Sequence, residues 1–373
     1  MSVRCLTLLL LGAACAHGEP FEAPDDALEG PLAGGEPLQL TYADGGPSAP
    51  AWIPGGDTII YAYPRHGGGF SVDEEGCLAV LSAEGGTIRR EICSRTVFAT
   101  QAEDQFSLPS VSAGRRLAFM HIGQATAGDA VREAILAAPL DTPSAYTIVR
   151  SFPFQGDAFY LAAEDVQWLG ESRIVLLGIA EEEMPRPCPT CDPVIVRYPR
   201  AVLLAEAGGA GAITVVPGTL RATSVSAGES EDVIYYTLAG DSRIYRQVLS
   251  TGEVMVAHDF GTSIVVRGVH YAAGRIVAMI DGRYSIAEDE IGTLHTSESG
   301  GMLQVVTPGA GVAQAVVTPT PMWFRRPALS ADGRVIVAEG ERLTLNATGN
   351  SVGTIIAYDT VPGPTSIWRI AAP

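Results

Sequence analysis

The chain has 373 residues, 47% of them hydrophobic, with 42 glycines, 25 prolines and a formal charge of −18 at pH 7. So acidic a surface repels phosphate backbones and anionic membrane surfaces at long range, which argues against nucleic-acid binding. All 24 cationic residues are arginine, and that excludes lysine Schiff-base chemistry and a phosphate-loop lysine.

The first element is a targeting segment, residues 1–15. Met1-Ser2-Val3-Arg4 supplies a cationic start, Cys5 to Gly12 an apolar run too short to span a bilayer, and Ala13-Ala14 small residues before Cys15. Leu11-Gly12-Ala13-Ala14-Cys15 resembles the lipobox of bacterial lipoproteins, with the large aliphatic residue one position early. The resemblance implies that Cys15 becomes the lipidated first residue; the alternative is an ordinary secretory signal cut after a nearby alanine. Either reading exports the chain and leaves a lipid anchor as its only membrane contact, because no later stretch is apolar enough to span. Residues 16–36, rich in Gly, Pro and acids, read as a disordered tether.

From residue 37 onward one phrase recurs: small residues with an apolar anchor, a tight Gly-rich turn, then alternating apolar residues. Its anchors stand at 52, 111, 168, 225, 270 and 329, so the steps are 59, 57, 57, 45 and 59 residues. Such regularity is the mark of a repeat array. Third strands are expected at Leu78–Leu81, Ala134–Ala137, Ala201–Leu204, Ile244–Val248, Thr293–His295 and Ser366–Ile370. Fourth strands are expected at Thr87–Ile92, Thr147–Val149, Ile213–Val216, Val254–Ala257 and Leu303–Val306. The last repeat has none of its own, whereas Leu38-Gln39-Leu40-Thr41 stands unclaimed before the first. The pattern therefore predicts an all-β, six-bladed β-propeller of four-stranded antiparallel blades over residues 37–373, closed by the N-terminal strand.

Cysteine usage fits an oxidising compartment. If Glu84-Gly85-Gly86 is a three-residue hairpin loop, Cys77 falls opposite Cys93 and a cross-strand disulfide is expected. Cys188-Pro189-Thr190-Cys191 has the spacing of redox and zinc sites, but with no second pair and no strand-to-helix context a loop-stapling disulfide is the simpler reading.

Ser48-Ala-Pro-Ala-Trp-Ile-Pro-Gly-Gly-Asp57 and Arg326-Pro-Ala-Leu-Ser-Ala-Asp-Gly-Arg334 resemble the Pro-x-Trp-Ser-Pro-Asp-Gly repeats of TolB-like propellers. The resemblance spans the region from about residue 37 to the end and implies an envelope location and a protein-binding role. The turn aspartates read as structural, since Asp before Gly suits a tight turn.

The expected insertions gather on one face of such a ring. Pro64–Gly76, Gly123–Arg132, Ile179–Arg200 and Glu339–Thr365 are second-to-third connections, and Ser94–Phe106 and Thr307–Trp323 join blades. Glu164, Asp165, Arg221, Arg267, Arg325 and Arg326 precede the anchors and are expected at the channel mouth. There they suit either a structural ion-pair network around water or an anionic ligand. His270, at an anchor position, and His121, on an apolar second strand, read as packed imidazoles.

No Gly-x-Ser-x-Gly or His-Glu-x-x-His motif occurs, and no metal or cofactor is called for. The expectation is a monomeric, non-enzymatic interaction module whose partner is another envelope protein. Phe70, Phe152, Phe154, Phe159, Tyr160 and Trp323 are its candidate contacts. The alternative is a channel-site binder of a small ligand, or a metal-dependent, lactonase-like hydrolase using Glu164 and Asp165.

Overall fold

The computed structural model describes residues 37–41, 47–64, 76–98, 104–123, 132–153, 163–184, 194–209, 213–262, 264–282, 287–288, 294–295, 301–318, 322–348, 357–362 and 365–373. Strand β1 (Leu38–Gln39) leads into a first blade of β2 (Ser48–Trp52), β3 (Thr58–Pro64), β4 (Gly76–Ser82) and β5 (Arg90–Cys93), followed by the short helix α1 (Ser94–Phe98). The second blade is β6 (Gln105–Val111), β7 (Arg116–Gly123), β8 (Arg132–Pro139) and β9 (Thr147–Pro153). The third is β10 (Ala163–Leu169), β11 (Arg173–Met184), β12 (Val194–Glu206) and β13 (Thr214–Val215). The fourth is β14 (Ala222–Ala227), β15 (Val233–Leu238), β16 (Arg243–Val248) and β17 (Val254–Asp259). The fifth holds β18 (Ile264–Ala272) and β19 (Arg275–Gly282), then the small hairpin β20 (Ala287–Glu288) and β21 (Leu294–His295), then β22 (Met302–Val306) and β23 (Ala313–Ala315). The sixth is β24 (Met322–Leu329), β25 (Val335–Thr348), β26 (Ala357–Pro362) and β27 (Ser366–Ala371).

Each blade is an antiparallel meander, and the sixth runs in the order β24-β25-β27-β1. Its outer strand therefore comes from the other end of the chain, as the repeat arithmetic predicts. Leu38 pairs with Arg369 and Gln39 with Trp368; Leu40 N–H donates to Ile367 O at 2.8 Å, and Ile367 N–H to Thr41 Oγ1 at 2.8 Å.

Alternation along the second strands explains how the blades hold together. In β3, Ile59, Tyr61 and Tyr63 pack toward the sixth blade, whereas Ile60 and Ala62 pack toward the second. A strand buried on both faces must read as a continuous apolar run, and Thr58-Ile-Ile-Tyr-Ala-Tyr63 does. The same sorting yields an apolar cluster between every pair of neighbouring blades, including the sixth and first.

Two expectations need correction. In the fifth blade the third strand is Met302–Val306 and the fourth is Ala313–Ala315, while Leu294–His295 belongs to a separate hairpin with Ala287–Glu288. Ala313-Gln314-Ala315 lies on the rim, half-exposed or exposed, and so has no apolar alternation to announce it. The segments Ile179–Arg200 and Glu339–Thr365 are not plain loops. β11 and β12 stay paired from Ala180↔Tyr198 to Met184↔Val194, and β25 pairs with β26 from Leu343↔Pro362 to Thr348↔Ala357. Glu181, Glu182 and Glu183 accordingly lie within a strand, opposite Arg197, Val196 and Ile195.

Cys77 and Cys93 stand directly opposite in the β4–β5 ladder and form the expected disulfide, with Cα atoms 4.2 Å apart. Cys15, Cys188 and Cys191 lie outside the described residues.

Candidate functional site

The first strand of each blade lines the central channel, and no neighbouring strand forms a ladder along its inner edge; among the described residues backbone contacts there are isolated, such as Phe324 N–H to Gly301 O and Val266 N–H to Asp241 O. Unpaired N–H and C=O groups on such an edge must find other partners, and here neighbouring blades supply them. Trp52 Nε1 donates to Ala328 O at 3.0 Å and Trp168 Nε1 to Ser110 O at 3.1 Å. Gln167 Nε2 donates to Val225 O at 3.2 Å while its Oε1 accepts from Ala227 N–H at 3.1 Å. Ser224 and Ser226 hydroxyls accept the N–H groups of Val269 and Tyr271, each at 2.9 Å. The anchor histidine does the same work: Leu329 N–H donates to His270 Nδ1 at 3.1 Å. Burial pushes the His270 pKa down to about 4, so at neutral pH the ring carries its proton on Nε2 and keeps Nδ1 as acceptor. It is a neutral imidazole, half-buried on the channel wall rather than packed in the core as the sequence suggests.

Every inner strand also carries a β-bulge near its start. Two residues oppose one at 49–50, 108–109, 165–166 and 326–327, and single residues, Thr223 and Arg267, are inserted in blades four and five. Ala49, Leu108, Asp165 and Arg326 adopt positive φ there, between 44° and 51°. A bulge re-aims the side chains around it, and this one recurs where the strands enter the channel from the insertion-rich face.

The channel holds a cavity of about 850 Å³. Because inner strands run from the elaborated face to the trimmed one, Asp165, Arg267, Arg325, Arg326 and Glu339 ring the elaborated end, whereas Trp52, Trp168, Tyr271 and Leu329 lie toward the other. Arg200 also contributes to the wall. Arg326 reaches Glu339 Oε1 at 3.0 Å, and the same oxygen accepts Ala49 N–H at 2.7 Å. Arg325 lies 3.9 Å from Glu341, whose Oε1 already accepts the Thr365 hydroxyl at 2.7 Å. Asp165 Oδ2 accepts Val225 N–H at 3.2 Å.

Of the six residues expected at the mouth, Asp165, Arg267, Arg325 and Arg326 line the cavity. Arg221 is exposed and outside that wall; its N–H donates to Arg200 O and its carbonyl accepts Ala239 N–H. Glu164 pairs through its backbone with Leu177, and its side chain lies outside the described residues. Sequence reasoning missed Glu339 and Arg200. The signal for Glu339 was present: a carboxylate ends the apolar run Val335-Ile-Val-Ala338 on a second strand. Among the described residues no group of three or more His, Cys, Asp or Glu side chains converges.

His121 lies elsewhere, between the first two blades. It is 3% exposed, packed at a tilt against Phe98 with ring centroids 4.6 Å apart, and its Nε2 is 3.0 Å from Asp104 Oδ2. The pair holds the blade-one-to-blade-two connection against β7.

Six four-stranded blades, latched by β1 and pierced by a channel, define a six-bladed β-propeller. No protein-family model and no curated protein matches the chain. Among solved structures it is similar to TolB from Acinetobacter baumannii, at 13% identity and a TM-score of 0.47, covering 86% of this chain and 65% of that one. The chain thus spans just under two thirds of that protein's length. It is similar too to a protein assigned as TolB from Agrobacterium tumefaciens (12% identity, TM-score 0.48, 90% and 97% covered). A further likeness is to a protein assigned as a gluconolactonase (13%, 0.45, 95% and 97%).

Proposed function

We propose that the protein is an exported, lipid-anchored propeller of the cell envelope that works as a non-enzymatic interaction module through its elaborated face, with another envelope protein as partner. The observation that carries this reading is the asymmetry of the ring. On one face, first-to-second strand turns are closed by short hydrogen-bonded loops such as Ile53 N–H to Thr58 O, Ser112 N–H to Arg116 O and Ser330 N–H to Val335 O. On the other stand the paired extensions of β11–β12 and β25–β26 and the hairpin β20–β21. Connections on a rigid scaffold are where binding residues concentrate.

Chain direction adds a second support. β1 runs antiparallel to β27, with Leu38 opposite Arg369 and Leu40 near Ile367, so the chain enters the ring at its trimmed face. A tether attached at Cys15 pulls on that face and leaves the elaborated one turned away from the membrane. A tether of residues 16–36, if flexible, has a root-mean-square span of roughly 25 Å.

Photo-crosslinking residues placed in living cells test this, at Trp323 for the elaborated face and at Gly55 for the trimmed one. Adducts with one partner protein are expected from Trp323 and not from Gly55; equal labelling, or labelling from Gly55 alone, sinks the reading. Membrane fractionation of Cys15→Ala tests the anchor separately, with release into the soluble fraction as the expected result.

A further inference from the structure

We propose that the trimmed-face half of the central channel is a binding site for a small neutral molecule with an aromatic body and a ketone or ester carbonyl, the carbonyl oxygen accepting His270 Nε2–H. This goes beyond the interaction-module reading and does not depend on it.

The argument starts from what borders this half. The six first-to-second strand turns around it, at 53–57, 112–115, 170–172, 228–232, 273–274 and 330–334, all belong to the described residues. Trp52, Trp168, Tyr271 and Leu329 line its wall, and stacking on Tyr235, with ring centroids 5.0 Å apart, fixes the Tyr271 ring. The charged side chains of the wall gather at the other, elaborated end. The two titratable groups that remain are both neutral at pH 7, because burial lowers the His270 imidazole to about 4 and raises the Tyr271 phenol. A charged ligand would give up its hydration here without meeting a counter-ion, which a neutral one avoids.

His270 supplies the orientation. Its ring is half-buried and lines the cavity. Nδ1 accepts Leu329 N–H at 3.1 Å, which fixes the ring and leaves the proton on Nε2. That Nε2–H has no hydrogen-bond partner among the described residues. Around it the indoles of Trp52 and Trp168, the Gln167 amide and the Ser226 hydroxyl are engaged in the seams between blades. A neutral donor held in place beside aromatic rings matches an acceptor that needs no counter-charge, and a ketone or ester carbonyl is such an acceptor. The whole cavity, about 850 Å³, lies within the range of small-molecule sites.

Isothermal titration of the full chain with acetophenone, and with ethylbenzene as a similar body without the carbonyl, tests the proposal. Saturable one-to-one binding of acetophenone is expected with a dissociation constant of about 1 mM, as suits so small a ligand. His270→Phe keeps an aromatic ring and removes the donor, so it should weaken acetophenone about fivefold and leave ethylbenzene within about twofold. The same variant strands Leu329 N–H, and a measurement on the wild type keeps the test decisive if it does not fold. The side-chain nitrogen NMR resonance of His270 Nε2, identified by its loss in His270→Gln, should move further on saturation with acetophenone than with ethylbenzene. Absence of saturable acetophenone binding, equal loss of both probes in His270→Phe, or an Nε2 resonance that does not distinguish them overturns the proposal.

Discussion

Glu339 accepts the backbone N–H of Ala49 at 2.7 Å across 290 residues of sequence. The carboxylate is 5% exposed and also holds Arg326 at 3.0 Å, so one side chain ties the inner strand of the first blade to the sixth at the point where the ring closes. Removing one partner of a buried charged hydrogen bond strands the other, which costs about 3 kcal/mol. Glu339→Ala should lower the urea midpoint accordingly, Glu339→Gln by about half as much because an acceptor for Ala49 survives. Arg325→Gln, which removes a half-exposed guanidinium 3.9 Å from a buried Glu341 that keeps its Thr365 hydrogen bond, should cost less, within about 1 kcal/mol. Equal effects at Arg325 and Glu339 would remove the closing role assigned to the carboxylate.

His270 gives stability a pH dependence of known sign. Its folded-state pKa is pushed from 6.5 down to about 4 by burial, so below pH 6.5 the unfolded chain takes up a proton that the folded chain refuses. Stability is therefore fully present above about pH 6.5 and is lost progressively as the pH falls toward 4. His258, also held below its ordinary value by burial, contributes in the same direction, and carboxylates add their own acid dependence. The informative quantity is the difference between wild type and His270→Gln, which keeps an acceptor for Leu329 but cannot titrate. That difference should shift in favour of the variant as the pH falls from 6.5 to 4, measured by denaturant unfolding at each pH. A flat difference would mean that channel water solvates the imidazolium.

The disulfide joins residues 16 apart in sequence, and both cysteines are buried in the cluster between the sixth and first blades. A cross-link closing a loop of that length stabilises by about 3 kcal/mol in the chain-entropy account. The double variant Cys77→Ala, Cys93→Ala should lose about that much. The wild type should resist reductant in buffer and yield to it at sub-denaturing urea, because the bond is reached only when the seam opens. Rapid reduction of the native protein would contradict that burial.

The propeller and its closure were legible because both depend on strong local signals: anchors at regular spacing, tight Gly turns, and an unclaimed apolar strand at one end. What escaped were features that burial does not write into the sequence. β23 was missed because a rim strand of Ala-Gln-Ala buries little, which moved the reading of the fifth blade one strand early. Asp165, Arg267, Arg325 and Arg326 were placed at the channel because they precede the anchors, yet Arg221 precedes its anchor as well and lies outside the wall. In the fourth blade the inserted residue is Thr223, between Ala222 and Ser224, so the bulge comes after Arg221. Glu339 and Arg200 were hidden inside segments taken for loops, which the structure shows as continuing strands.

The latch strand separates two truncations that look alike in sequence. Residues 1–36 precede the described ring, whereas β1 and the two residues after it complete the sixth blade: Leu38 and Gln39 pair with β27, Leu40 is 3% exposed within the blade-six-to-blade-one cluster, and Thr41 Oγ1 accepts Ile367 N–H. Residues 1–36, read from the sequence as signal and tether, should be removable at a cost within about 0.5 kcal/mol. Removing 1–41 exposes the edge of β27 and empties the Leu40 site, and Leu40→Ala alone should cost about 3 kcal/mol. Thermal unfolding of the two truncations and of Leu40→Ala should therefore rank the shorter truncation with wild type and the longer one below the point variant. If both truncations melt together with wild type, the ring holds without its latch, and the apolar seam between blades six and one carries the closure by itself.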